Sequence, residues 1–296
     1  MDNRNITRRE ALKRMGLGLA GMAVTPLCTS SLLTSCSPEP KKRIVFYFTA
    51  TGNSLYAARK FGDQLLSIPQ VLKGSERIFE ADEIGLVFPD YRADAPPIVK
   101  RFLQEVELKA SYLFSIITFG NYDCNVVETW NKFAKEQGAE FHYITTIKMV
   151  DNYLPVFDMN KQVKMDKQED EQLAKTVAEV EAHTHHIPML TEEERTRAEQ
   201  VLTFVPPLYP VTAQQLLQIN QEDCVGCGIC AKVCPRGNFE FTGNGMSCHG
   251  DCEYCLACIQ NCPQKTIVLK RGERNPKARY RHPDVSLNEI IRSNRQ

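Results

Sequence analysis

Arg43-Ile44-Val45-Phe46-Tyr47-Phe48-Thr49-Ala50-Thr51-Gly52-Asn53-Ser54 joins an apolar run to a loop of small and hydroxyl-bearing residues. The apolar run from Ile44 to Phe48 reads as a buried strand. A polar loop follows, and then Leu55, Ala58, Phe61 and Leu65 recur at helical spacing. The unit is strand, loop, helix. Its loop offers hydroxyls from Thr49, Thr51 and Ser54 together with backbone N–H groups at a helix N-terminus, where the dipole favours an anion. Gly52 allows the backbone to approach a phosphate closely. A plain N-cap by Thr51 or Ser54 is the alternative reading of the same residues.

The alternation continues beyond this unit. Strands are expected at 77–80, 84–88, 113–119 and 140–149, with helices at 97–106 and 126–138. Such a pattern implies an α/β fold with a parallel sheet covered on both faces. The strand order expected is 2-1-3-4-5, with a ligand at the carboxyl ends of the strands near the switch point. Residues 161–182 and 191–205 read as exposed helices, the second opened by a Thr191/Glu194 capping box and stopped by Pro206 and Pro207. Trp130 reads as core. His183, His185 and His186 read as a solvated helix end, because no fourth metal ligand stands near them in the sequence.

Twelve cysteines are present, and two runs near the C-terminus hold most of them. Cys224, Cys227, Cys230 and Cys234 precede Pro235, and Cys252, Cys255, Cys258 and Cys262 precede Pro263. Each run is C-x-x-C-x-x-C-x-x-x-C-P, the spacing with which bacterial ferredoxins hold two 4Fe-4S clusters. In that pattern the fourth thiolate of each run crosses to the other cluster. Cys224, Cys227, Cys230 and Cys262 would hold one cluster, and Cys252, Cys255, Cys258 and Cys234 the second. Zinc sites and disulfide frameworks also use C-x-x-C pairs, but neither calls for two identical runs each closed by Pro. A strand is expected at 213–220, paired with 266–269, and a hairpin turn at 239–245. Cys248, His249 and Cys124 are surplus, Cys124 reading as a small buried hydrophobe.

The chain has 296 residues, 36 basic and 36 acidic, and a hydrophobic fraction of 43%. That length suggests two domains, and the balanced charge argues against nucleic acid as a partner.

With these motifs in place, the segment around Thr49 to Ser54 resembles the flavodoxins, whose phosphate loop is [S/T]-x-T-G-x-[S/T]. The order of flavodoxin-like unit, helical spacer and two-cluster ferredoxin resembles the EFR1 family of ferredoxins more closely. Phe48 to Ser54, Val87 to Pro89, and Arg279, Tyr280 and Pro283 match its motifs, the last in a slightly shifted form. The resemblance covers about residues 43–283. It implies a flavodoxin-like doubly wound parallel sheet, a helical spacer and a small α+β bacterial-type ferredoxin domain.

It also implies an FMN between three loops. Thr49, Thr51, Gly52, Asn53 and Ser54 would take its phosphate. Pro89, Asp90 and Tyr91 on the second loop, and Thr118, Gly120, Asn121 and Tyr122 on the third, would flank its ring system. Tyr91 and Tyr122 read equally as stacking partners or as rim aromatics. Where the family often has a Trp-Gly pair, this chain has Arg92-Ala93-Asp94-Ala95, which leaves the second wall of the flavin unassigned.

The first residues read as an address. Thr7-Arg8-Arg9-Glu10-Ala11-Leu12-Lys13 resembles a twin-arginine signal, and Leu33-Thr34-Ser35-Cys36 a bacterial lipobox with Cys36 as the lipidated residue. The segment between, with Pro26 and several glycines, suits a signal better than a stable helix, the alternative being an amphipathic or membrane-spanning helix. Cys28 falls inside it. Export of folded protein suits iron–sulfur clusters, because bare cysteines reaching an oxidising compartment tend to pair. The expected organisation is a signal at 1–35, a tether at 36–42, a flavodoxin-like domain at 43–150, a spacer at 151–212, a ferredoxin domain at 213–270 and a basic tail at 271–296. The expected function is electron transfer between redox partner proteins, membrane-anchored through Cys36 on the periplasmic or cell-surface side. An FMN-dependent reductase fed by the clusters, and a flavodoxin-like interaction module without flavin, are the alternatives.

Overall fold

The structure is a computed structural model that describes residues 41–62, 64–204, 207–243 and 245–294. The described residues belong to one compact unit that begins at Lys41. Arg8, Arg9, Cys28, Cys36 and most of the tether lie outside the described residues. Among those described, no helix is long and apolar enough to cross a membrane.

In chain order the elements begin with β1 (Arg43–Tyr47), α1 (Asn53–Ala58), β2 (Leu65–Ser67), α2 (Ile68–Lys73), β3 (Ile78–Glu80) and β4 (Glu83–Pro89). Then come α3 (Pro97–Glu105), β5 (Glu107–Lys109), β6 (Tyr112–Phe119), α4 (Val126–Glu136) and β7 (Tyr143–Lys148). The spacer holds α5 (Met159–Gln162), α6 (Glu169–Glu181) and α7 (Glu192–Phe204). The cysteine region holds α8 (Ala213–Leu216), β8 (Leu217–Ile219), α9 (Ile229–Val233), β9 (Phe239–Thr242), β10 (Gly245–Cys248), α10 (Ala257–Gln260) and β11 (Ile267–Leu269), and α11 (Leu287–Asn294) closes the chain.

The main sheet has five parallel strands in the order β2-β1-β4-β6-β7. This is the flavodoxin-like 2-1-3-4-5 arrangement. Alternate residues of β1, with Phe48 directly after it, supply opposite faces: Ile44, Phe46 and Phe48 join one core with Leu86, Phe102 and Trp130, while Val45 and Tyr47 join another with Phe61, Phe114 and Leu173. Burial on both faces is why β1 reads as a continuous apolar run. The loops after β1, β4, β6 and β7 leave the same, carboxyl, edge of the sheet.

The cysteine region forms a third core, in which Leu216, Phe239, Met246, Leu256 and Ile267 surround buried Cys230, Cys234 and Cys258. β8 pairs antiparallel with β11, and β9 with β10 as the expected hairpin. Val233 and Ala257 of this region, with Val285 and Ile290 of the tail, join the second core of the sheet. The two regions therefore share packing within one unit.

Several sequence expectations need correction. Leu65 belongs to β2 and not to the first helix, which ends at Ala58. Its spacing from Phe61 fits a helix and a strand equally, and the chain turns at Lys60 and Phe61 through bonds to Ala57 and Ala58. The strand expected at 77–80 pairs only with β5, outside the main sheet. The last sheet strand starts at Tyr143, three residues after Glu140. The helix expected over 161–182 is two helices, α5 and α6. The strand expected over 213–220 opens as a helical turn, because Thr212 and Gln215 form a reciprocal capping box, and only Leu217–Ile219 is extended.

Candidate functional site

At the carboxyl edge of the sheet lies a cavity of about 500 Å³, within the size range of cofactor sites. Thr49, Thr51, Asn53, Ser54, Pro89, Tyr91, Thr118, Gly120, Asn121 and Tyr122 all line it. Gly52 does not. Its φ of 108° is left-handed, and a Cβ there would lie 2.8 Å from His282 Cβ, so glycine is required by both conformation and space.

One end of the cavity is rich in hydroxyls. Thr49, Thr51, Ser54 and Thr118 are all nearly buried. Ser54 Oγ and Thr118 Oγ1 are 2.8 Å apart, and the Gly52 N–H donates to Thr49 Oγ1 at 3.1 Å. Asn152 Nδ2 donates to Thr51 Oγ1 at 2.6 Å, and Asn53 Nδ2 to the Val150 carbonyl at 3.1 Å. This donor set suits a phosphate, since each hydroxyl can turn its hydrogen toward an anion.

The other walls were not legible from the motifs. Asp151, Tyr153 and Phe157 come from the loop after β7, Leu202 and Phe204 from the end of α7, and Tyr254, Cys255 and Leu256 from the second cysteine run. Gly120 makes room for Asp151, whose Cγ would lie 2.3 Å from a Cβ placed there. Burial pushes the Asp151 carboxyl up to about 6, against the Tyr153 N–H that donates to it at 3.1 Å. Burial likewise lifts Asp90 well above the usual carboxylate range. Tyr91 meets Phe48 edge-on at 6.4 Å, whereas Tyr122 is 65% exposed at the rim. Cys124 also lines the cavity, its thiol pushed up to about 11 by burial. Trp130 is fully buried in the sheet core, as read.

Two smaller cavities lie among the cysteines. Cys224, Cys227, Cys230 and Cys262 line one, and Cys234, Cys252, Cys255 and Cys258 line the other. Thiols from both runs meet at each. Among the described residues no three His, Cys, Asp or Glu side chains are grouped to share a single metal ion. A 4Fe-4S cube takes four thiolates, one for each iron, and each cavity is lined by four cysteines, so the residues fit the group. Burial pushes the Cys230 and Cys252 thiols up to about 12, and those of Cys255 and Cys258 well above their ordinary value. Coordination to a cluster would replace those protons with iron. Cys262 is the exception. Burial would raise it, but hydrogen bonds from Thr266 and from backbone amides outweigh that and lower it.

The two sets differ in exposure. Cys227 is exposed, whereas Cys258 is buried. Cys255 and Leu256 line both the second cysteine cavity and the large cavity at the sheet edge. Of the surplus residues, Cys248 packs against the third core without lining either cysteine cavity, and His249 stands 3.9 Å from Glu240. His183 stacks on Tyr112 at the opposite end of the sheet, with centroids 4.5 Å apart.

The sequence model of the 4Fe-4S binding domain matches residues 217–240, from β8 through the first run into β9. An uncharacterized ferredoxin of Methanocaldococcus jannaschii is 39% identical over 57 residues, which are 18% of this chain and 74% of that protein. The chain belongs to the ferredoxin family. A ferredoxin of Pyrobaculum islandicum is 35% identical over 63 residues, and this chain spans 58% of its length. Among solved structures, a candidate flavoprotein from Bacteroides uniformis shares 16% identity at a TM-score of 0.29, over 36% of this chain and 90% of its own. The ferredoxin relationship brings 4Fe-4S iron–sulfur chemistry and electron transfer.

Proposed function

We propose that this ferredoxin carries two 4Fe-4S clusters and one FMN, and relays electrons between them and external redox proteins. The observation that carries the reading is the shared wall: Cys255 and Leu256 face the second cysteine cavity on one side and the cavity of the hydroxyl loop on the other. The clusters supply one-electron steps, and a flavin supplies one- or two-electron steps.

The chain's own residues divide the work. Cys224, Cys227, Cys230 and Cys262 would hold the outer cluster, where the exposure of Cys227 gives a partner access. Cys252, Cys255, Cys258 and Cys234 would hold the inner one. Thr49, Thr51, Asn53, Ser54 and Thr118 would receive the FMN phosphate. Pro89, Tyr91, Gly120 and Asn121 would flank the ring system, and the Leu256 side of the second run would supply the wall that the Arg92-Ala93-Asp94-Ala95 loop left unassigned. This arrangement of parts, with the order of its motifs, supports membership of the EFR1 family.

We further propose export by the twin-arginine route and anchoring through Cys36, on the strength of Arg8, Arg9 and the Leu33–Cys36 motif. Arg8→Lys with Arg9→Lys should hold the protein in the cytosol, and Cys36→Ser should release it from the membrane. Unchanged export or anchoring overturns the respective motif.

The relay is tested by anaerobic reduction of the purified protein with limiting dithionite. Cluster and flavin absorption should bleach together, with rapid exchange of electrons between them. Clusters that bleach while a bound flavin stays oxidised for minutes contradict the relay. A second reading, reduction of a small acceptor, is favoured by the apolar mouth, where Tyr122, Val156 and Phe204 are all exposed. Turnover of such an acceptor by the isolated reduced protein distinguishes it from the relay.

A further inference from the structure

The segment after the cysteine runs does not line the large cavity, yet it holds the loop that does. Tyr280 Oη donates to Asn53 Oδ1 at 2.7 Å. The His282 N–H donates to the Thr51 carbonyl at 2.7 Å, and Asn294 Nδ2 to the Thr49 carbonyl at 2.9 Å. Asn261 Nδ2 reaches the Ala50 carbonyl at 3.3 Å. Three successive carbonyls and one side chain of the loop are thus pinned from behind.

Peptide planarity turns this into an effect on the cavity. Fixing the carbonyls of residues 49 and 50 fixes the N–H groups of residues 50 and 51, which point the opposite way within the same peptide planes. Thr49, Ala50, Thr51 and Asn53 line the cavity, whereas Tyr280, His282 and Asn294 do not. The restraints therefore act on the face of the loop turned away from a ligand. Tyr280 is itself held: it is 4% exposed, and its N–H donates to Gln260 Oε1 at 2.8 Å. Gln260 lies between Cys258 and Cys262. Asn53 is consequently clamped at both ends of its amide, by the Val150 carbonyl and by the Tyr280 hydroxyl.

We propose that Tyr280 is a positioning residue for phosphate recognition, holding Asn53 so that the 49–54 loop keeps the shape that receives the phosphate of a flavin mononucleotide. The proposal rests on the FMN reading above. Its effect is expected at the phosphate end, because the hydroxyl of Tyr280 bonds to Asn53 of the hydroxyl loop, and Tyr280→Phe keeps the ring that packs in the third core. A flavin without phosphate should be indifferent to it.

The test is Tyr280→Phe in the full, cluster-loaded chain, with binding of FMN and of riboflavin followed by quenching of flavin fluorescence. Loss of one buried hydrogen bond should weaken FMN binding by about three- to tenfold. Riboflavin affinity and the cluster absorption should stay as in the wild type. Asn294→Ala, which frees the Thr49 carbonyl from a different element, should act in the same direction. Unchanged FMN affinity in Tyr280→Phe overturns the proposal. So do equal losses for FMN and riboflavin, which indicate a general packing role. A wild-type chain that binds neither flavin overturns the FMN reading itself, and the proposal with it.

Discussion

The backbone N–H of Ile98 donates to the Glu253 carboxylate at 3.0 Å, joining residues 155 positions apart. Ile98 stands in the first turn of α3, directly after the loop that carries Tyr91, and Glu253 lies between Cys252 and Cys255. Glu253 is 3% exposed, and burial raises its carboxyl above the ordinary value. Arg236 Nε stands 3.7 Å away on its other side. One side chain thereby ties the sheet-edge loops to the second cysteine run and satisfies a free helix donor.

Truncation of that side chain should be costly. Glu253→Ala leaves the Ile98 donor without its acceptor, a loss of about 2 kcal/mol, or about 4–8 °C in the thermal midpoint. Glu253→Gln keeps an acceptor oxygen and should recover much of it. Calorimetry on the cluster-loaded protein checks this, and an unshifted midpoint in Glu253→Ala shows that the contact contributes nothing.

The crossing of the cysteine runs has its own signature in iron content. Cys262→Ala and Cys227→Ala each remove a ligand from the same proposed cluster, so the double variant should retain about four irons, as either single variant does. Cys262→Ala with Cys252→Ala should lose nearly all. Iron analysis after anaerobic purification decides it, and the reverse pattern means that each run holds its own cluster.

Acid should act on the far end of the sheet. Glu83, fully buried, pairs with Arg43, Lys41 and His183. Burial would raise its carboxyl, but hydrogen bonds from His183, Arg43 and Lys41 outweigh that and bring it from 4.5 down to about 2. A depressed folded value means a contribution fully present above about pH 4.5 and lost as pH falls toward 2. Its size is about 3 kcal/mol. Glu83→Gln should lower stability by that order at pH 7, with the gap closing below pH 4. Fluorescence of Trp130, the single tryptophan, reports it from the sheet core. A gap that stays constant with pH would rule out the charge as its cause.

Much of this was legible in sequence, for physical reasons that can be named. Ile44 to Phe48 gave a strand because both faces of β1 are buried, and the hydroxyl loop followed because a strand-to-helix turn at the sheet edge must satisfy its own donors. The cysteine spacing identified the ferredoxin chemistry, since ligand geometry is local. What escaped was either short or distant in the chain. Leu65-Leu66-Ser67 is too brief to separate strand from helix by period. The turn at 213–216 is signalled by Thr212 and Gln215, a capping pair three residues apart. Asp151, Leu202 and Cys255 in the cavity wall, and Tyr280 behind the loop, depend on long-range packing, for which a single sequence carries no local signal.

Iron, sulfide and flavin measured on one anaerobically purified sample decide whether both cofactors are present in one chain. About eight irons, about eight sulfides and about one FMN per chain are expected. Full iron and sulfide with no flavin bound, even after incubation with FMN, would contradict the two-cofactor relay, and about four irons would contradict the second cluster.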